Sequence, residues 1–180
     1  ISRSADIEKS LDRIMFGKTM NAGQICLAPD YLMVPEEKLH EVIAAAQKAV
    51  ESMYPTLLDN PQYTSVINDR HYARLIGYLD EAKERGQKVI PINPGNEDFE
   101  NQQGSFKIPP TLIPEPAEGL KVLEEELFGP LLPILTYSNF EETITYINSK
   151  PRPLAAYYFG EDKAEEDAMV KRTTAGGMCI

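Results

Sequence analysis

Tyr31-Leu32-Met33-Val34-Pro35, followed at once by Glu36 to Met53, is the stretch that decides the fold class. A short apolar run closed by a proline is too brief for a helix and suits a buried parallel strand. The segment behind it has the other period. Leu39, Val42, Ile43, Ala46, Val50 and Met53 recur on one face, and acidic residues occupy the first turn, where the helix dipole favours them. Strand then helix is the repeating unit of an α/β domain.

The same alternation continues in both directions. Upstream, Ser4 and Asp6 are candidate caps for a helix carrying Ile7, Leu11, Ile14, Met15 and Met20. Downstream, a Pro-, Asn- and Asp-rich loop from Tyr54 to Ile67 precedes Asn68, which can cap a helix bearing Leu75, Ile76, Leu79 and Ala82 that Gly86 ends. Lys88 to Ile92 reads as a strand and Asn93 to Ser105 as a polar surface loop. Phe106 to Ile113 is extended, because Pro109 and Pro110 forbid helix, and prolines favour an edge position. Leu131 to Tyr137 is a strand, and Ser138 with Glu141 makes a capping box for a helix with Phe140, Ile144 and Ile147. Leu154 to Phe159, the charged helix Asp162 to Thr173 and the strand Met178-Cys179-Ile180 complete the chain. The pattern predicts a mainly parallel sheet with helices on both faces and right-handed crossovers.

At 180 residues the chain suits one domain that buries roughly 70% of its unfolded surface and needs no disulfide. Cys26 and Cys179, far apart and without secretory features around them, read as reduced thiols of a cytoplasmic protein. A net charge of −10 repels nucleic acid and anionic lipid, and the apolar runs are too short to span a bilayer. The chain begins Ile-Ser-Arg-Ser and ends on Gly-Met-Cys-Ile, which reads as a piece excised from something longer.

Asn21-Ala22-Gly23-Gln24-Ile25-Cys26-Leu27-Ala28-Pro29-Asp30 places one cysteine at a helix-to-strand junction. Such a place offers a thiol exposure and nearby backbone N–H groups, the conditions of a nucleophile, although intracellular cysteines are commonly inert packing residues. Gly23 lets backbone approach closely. The run Glu124-Glu125-Glu126 reads on its own as a solvated acidic turn, and Phe128 as a core aromatic. His40 and His71 sit on helix-like segments at no metal-ligand spacing, so no metal site is expected.

Gly-Gln-Ile-Cys behind a helix, with Phe16 and Met20 upstream and Ala-Pro-Asp downstream, resembles the active-site cysteine motif of the aldehyde dehydrogenase superfamily. Glu124-Glu125-Glu126-Leu127-Phe128-Gly129-Pro130 resembles the Glu-Glu-(Ile/Leu)-Phe-Gly-Pro signature of the same superfamily, and the likeness is strongest to the class 3-like branch that includes coniferyl aldehyde dehydrogenases. The resemblance implies that residues 1–180 form the thiol-bearing catalytic domain of a larger NAD- or NADP-dependent enzyme that oxidises aldehydes. Cys26 would be the nucleophile, Glu126 would bind the nicotinamide-side ribose and Phe128 would pack beside it. It further implies a homodimer or higher homo-oligomer. The general-base glutamate, the oxyanion asparagine and the Rossmann-like cofactor half would lie before Ile1; no Gly-x-Gly-x-x-Gly is present. Thr19 stands where many relatives carry an aromatic, and is expected to alter the substrate channel. Two rival readings are a cysteine acyl hydrolase pairing Cys26 with His40 or His71 and a non-catalytic interaction module.

Overall fold

The computed structural model describes residues 1–102 and 104–180. Helix α1 (Ile7–Thr19) starts at Asp6, whose carboxylate accepts the N–H of Lys9 at 3.1 Å. After β1 (Leu32–Pro35), a 3₁₀ turn at Glu36–Lys38 leads into α2 (Leu39–Met53). Strands β2 (Ile90–Pro91), β3 (Thr111–Pro114) and β4 (Leu131–Tyr137) complete a sheet of order β1-β4-β3-β2. The β1/β4 and β3/β4 pairs are parallel and the β2/β3 pair is antiparallel.

The period of two along each strand divides the sheet between two cores. Leu112, Leu132 and Ile134 point to the side covered by α1 and α2, where they meet Leu11, Ile14, Met15, Val42, Ala46 and Val50. Ile113 and Leu131 point the other way, to Leu75, Tyr78 and Leu79 of α3 (Asp69–Glu84). Helices therefore cover both faces, as the alternation of strand and helix predicts. Asn68 caps α3 by accepting the N–H of His71 at 3.0 Å. The chain leaves that helix through Gly86 at φ +71.

A second unit follows a one-turn helix α4 (Lys121–Glu124) and β4. Here α5 (Phe140–Ser149), β5 (Ala155–Tyr157), α6 (Lys163–Arg172) and β6 (Gly177–Cys179) gather around Ile144, Tyr158 and Met169, with β5 and β6 paired in parallel. The chain's first residues are sewn to this unit. Ser4 Oγ accepts the N–H groups of Glu161 and Asp162 at 2.8 and 3.0 Å, and Ser2 N–H donates to Phe159 O at 2.8 Å.

Three local readings need correction. The proline-rich stretch is not an edge: β3 lies between β4 and β2. Pro109 and Pro110 precede the ladder, and Pro110 needs only its carbonyl, which accepts Ile92 N–H at 2.8 Å. Strand β2 is shorter than Lys88–Ile92. The capping box of Ser138 and Glu141 does not form: the N-cap of α5 is Asn139, whose side chain accepts no helix N–H, and it is Glu142 that reaches back to Ser138 N–H at 2.9 Å. Of the polar loop expected over 93–105, Gln103 lies outside the described residues. The long loop 54–67 is held by the buried Lys107, whose ammonium donates to the carbonyls of Leu57, Leu58 and Asn60, each at 2.8 Å.

Candidate active site

The loop that carries Cys26 begins where α1 is broken. Asn21, Ala22 and Gly23 lie in succession in the left-handed region, at φ 51, 52 and 71. For the two residues that carry a Cβ this costs roughly 1–2 kcal/mol each, and strain of this kind gathers at sites where a side chain must be aimed. Gln24 offsets part of it. Its amide donates to Asn21 O at 2.9 Å and Ser65 O at 3.0 Å, its Oε1 accepts Ile67 N–H at 2.9 Å, and Asn21 Nδ2 donates to Gln24 O at 3.2 Å. Cys26 follows two residues later, exposed and free.

The second motif is packed against the first. A Cβ on Gly23 would lie 2.3 Å from Gly129 O, so the backbones of the two motifs touch where only glycine fits. Asp30 adds a polar tie: its carboxylate accepts Leu127 N–H at 3.0 Å. Beneath the loop, the Lys18 ammonium donates to Pro29 O at 2.7 Å with 1% of the residue exposed. Burial pushes that ammonium down to about 8, against the opposing pull of Asp30.

The three glutamates of the acidic turn have three different surroundings. Glu124 pairs with Lys150 at 3.1 Å. Glu125 accepts the hydroxyl of Tyr78 at 2.6 Å. Glu126 is exposed, and no hydrogen bond to its carboxylate occurs among the described residues. Its backbone is nevertheless fixed, since Arg74 on α3 donates to Glu126 O at 3.3 Å and Leu127 O at 2.7 Å. Phe128, at φ 45 and 42% exposed, stands beside the buried Leu127 instead of in the core.

Cys26, Glu126 and Phe128 line one cleft of about 960 Å³. Asp30, Tyr157 and Cys179 line it too, whereas His40 and His71 do not. The cleft thus offers a thiol and a carboxylate without an imidazole, which leaves an acyl hydrolase without its base among the described residues. Thr19 does not line this cleft. It is buried, and its hydroxyl donates to Met15 O at 2.7 Å. Among the described residues no group of three or more His, Cys, Asp or Glu is arranged to hold a metal ion, and no helix is long and apolar enough to cross a membrane.

Sequence reasoning missed Lys18, Arg74 and Tyr157, and quoted Asp30 without giving it a role. Lys18 carried a signal, since Leu11, Ile14, Met15 and Lys18 fall on one helical stripe and the lysine must be buried with the rest. Arg74 and Tyr157 act over 53 and 130 positions, a distance no local pattern reports.

The model of the aldehyde dehydrogenase family matches residues 1–180. The chain is 49% identical over its whole length to a probable coniferyl aldehyde dehydrogenase of Caulobacter vibrioides and 51% identical to a coniferyl aldehyde dehydrogenase of a Pseudomonas species. It spans 37% of the length of each. Among solved structures it superimposes on the substrate-bound state of Staphylococcus aureus AldH with a TM-score of 0.87 at 33% identity, covering 99% of this chain and 37% of that one.

Proposed function

Because the chain belongs to the aldehyde dehydrogenase family, we propose that residues 1–180 are the thiol-bearing catalytic domain of an NAD- or NADP-dependent enzyme that oxidises an aldehyde to the acid. The observation that carries this reading is the single cleft shared by Cys26 and Glu126, with their loops in backbone contact at Gly23 and Gly129. The cofactor-binding half, the general base and the oxyanion side chain belong to polypeptide outside this chain. The substrate class is aromatic, such as coniferyl aldehyde, or medium-chain aliphatic. The aromatic choice is supported by the names of the two relatives and by Tyr31, Tyr146 and Tyr157 in the cleft wall. Two free thiols fit a cytoplasmic setting, and the complete enzyme is a homodimer or higher homo-oligomer.

Each residue has a defined task. The Cys26 sulfur attacks the aldehyde carbon; a C–S bond forms and the carbonyl pair moves to oxygen, where the Cys26 N–H can donate to it. Glu126 and Phe128 fit the sugar end of the cofactor. The carboxylate has no protein partner among the described residues and can take two hydroxyl donors, while the exposed ring provides an apolar wall. The chemistry that a bound nicotinamide supplies is acceptance of hydride, by which the adduct on Cys26 becomes a thioester. Water then breaks the C–S bond, releasing the acid and restoring the sulfur.

The test uses the complete polypeptide with coniferyl aldehyde and NAD or NADP, following absorbance of the reduced cofactor. Cys26→Ala abolishes turnover. A variant that turns over like wild type refutes the assignment.

A further inference from the structure

Tyr157 stands on β5, 130 positions from the nucleophile loop, and its hydroxyl donates to the carbonyl of Leu27 at 2.8 Å. Leu27 is the residue next to Cys26, and its own side chain is 49% exposed, so packing holds this part of the loop only weakly. The other ties of the loop lie to either side. Gln24 and Gly23 hold its start, and Pro29 and Asp30 hold its end. Between them Ala28 N–H donates back to Ile25 O at 2.9 Å, a turn that closes only on itself. The Tyr157 bond is the long-range tie at the centre of that turn. It comes from a strand whose position is fixed, because Tyr157 is paired with Cys179 in the β5/β6 ladder. Tyr157 and Cys26 line the same cleft, and the tyrosine is 37% exposed, so its ring contributes some wall as well. Burial raises its phenol above the ordinary range, with Cys179 and Cys26 adding to the shift, which keeps it a donor at neutral pH.

We infer that Tyr157 is a positioning residue for the nucleophile: its hydroxyl clamps the Leu27 carbonyl and thereby fixes the direction of the Cys26 side chain toward the substrate. The inference rests on the reading of Cys26 as the nucleophile. It assigns to the β5/β6 unit a task the thiol and glutamate motifs do not reveal, that of holding the middle of the loop between them. A misdirected sulfur still meets substrate, so the clamp acts on the bond-forming step and not on affinity.

The experiment compares wild type with Tyr157→Phe, which keeps the ring and removes the O–H. In the chain itself, hydrogen exchange followed by mass spectrometry is expected to show peptides over 25–30 exchanging about tenfold faster in the variant, the order of one lost hydrogen bond. Peptides of α2 remain unchanged. In the complete polypeptide kcat falls about tenfold with KM for aldehyde within twofold, and 3-fluorotyrosine in place of Tyr157, which retains the donor, restores kcat. Exchange over 25–30 that stays within twofold overturns the inference. So does an unchanged kcat, a rise in KM alone, or a melting midpoint lowered by more than about 10 °C, well beyond what one hydrogen bond is worth in a chain of this size, which marks a purely structural role. Cys26→Ala retaining turnover sinks the functional reading instead, and the exchange measurement is independent of it.

Discussion

Gly23→Ala tests the claim that the two motifs are welded through their backbones, and Gly86→Ala supplies its control. Both glycines have φ +71, so an alanine at either meets the same backbone penalty, roughly 1–2 kcal/mol. Their surroundings differ. At Gly86 a Cβ meets nothing within 4 Å, whereas at Gly23 it would lie 2.3 Å from Gly129 O, 2.7 Å from Gly129 C and 3.1 Å from Lys18 O. All three neighbours are backbone and cannot rotate away. Forced overpacking of this kind adds about 1–3 kcal/mol, so Gly23→Ala should lose about 2–5 kcal/mol in all and Gly86→Ala only the first part. Urea unfolding measures both. With a slope of about 1–3 kcal/mol per molar, the two midpoints should separate by about 1 M. Equal losses, within about 0.5 kcal/mol, would refute the reasoning: the glycine would then be answering to its dihedral alone, and the contact between the motifs would carry no weight.

Lys107→Met removes the donor shared by three carbonyls and should cost about 3 kcal/mol, a fall of roughly 10 °C in melting midpoint by calorimetry. Lys18 gives a pH signature. Its folded value of about 8 lies below the ordinary 10.5, so the unfolded chain binds the proton more tightly and stability rises as pH climbs from about 8 to 10.5. The gain is up to about 3 kcal/mol, read as the difference between wild type and Lys18→Met across that window; parallel curves would count against it. Glu126→Gln should leave stability within about 0.5 kcal/mol, because its carboxylate has no hydrogen-bond partner among the described residues, whereas Glu125→Gln weakens the charged bond from Tyr78 and should cost about 1 kcal/mol in urea. The reverse ranking would mean that the roles of the two neighbours are exchanged.

The sequence carried the helices and most strands because each announces itself locally. Asp6 and Asn68, both candidate caps, are caps in the structure, and Asp162 at the start of the charged helix accepts the N–H groups of Ala164 and Glu165. What it could not carry was competition between neighbours. Prolines suggested an edge for Phe106 to Ile113, yet the ladder begins only after Pro110 and asks nothing of its missing N–H. The same divide runs through the site. The motifs around Cys26 and Glu126 are visible in the sequence by resemblance, and the structure puts both residues on one cleft. That Glu124 and Glu125 are engaged elsewhere while Glu126 is not depends on Lys150, Tyr78 and Arg74, residues of other elements brought there by packing.

The stitch at Ser4 has a consequence for biogenesis. The hydroxyl that receives Glu161 and Asp162 emerges from the ribosome more than 150 residues before its partners do. With synthesis at about 5–20 residues per second, the start of α1 waits on the order of ten seconds with its anchor missing. During that interval the apolar stripe of the nascent helix can be shielded by β1 and α2, which follow closely and share its core, and it is there that a chaperone holding the unfinished polypeptide would find its grip.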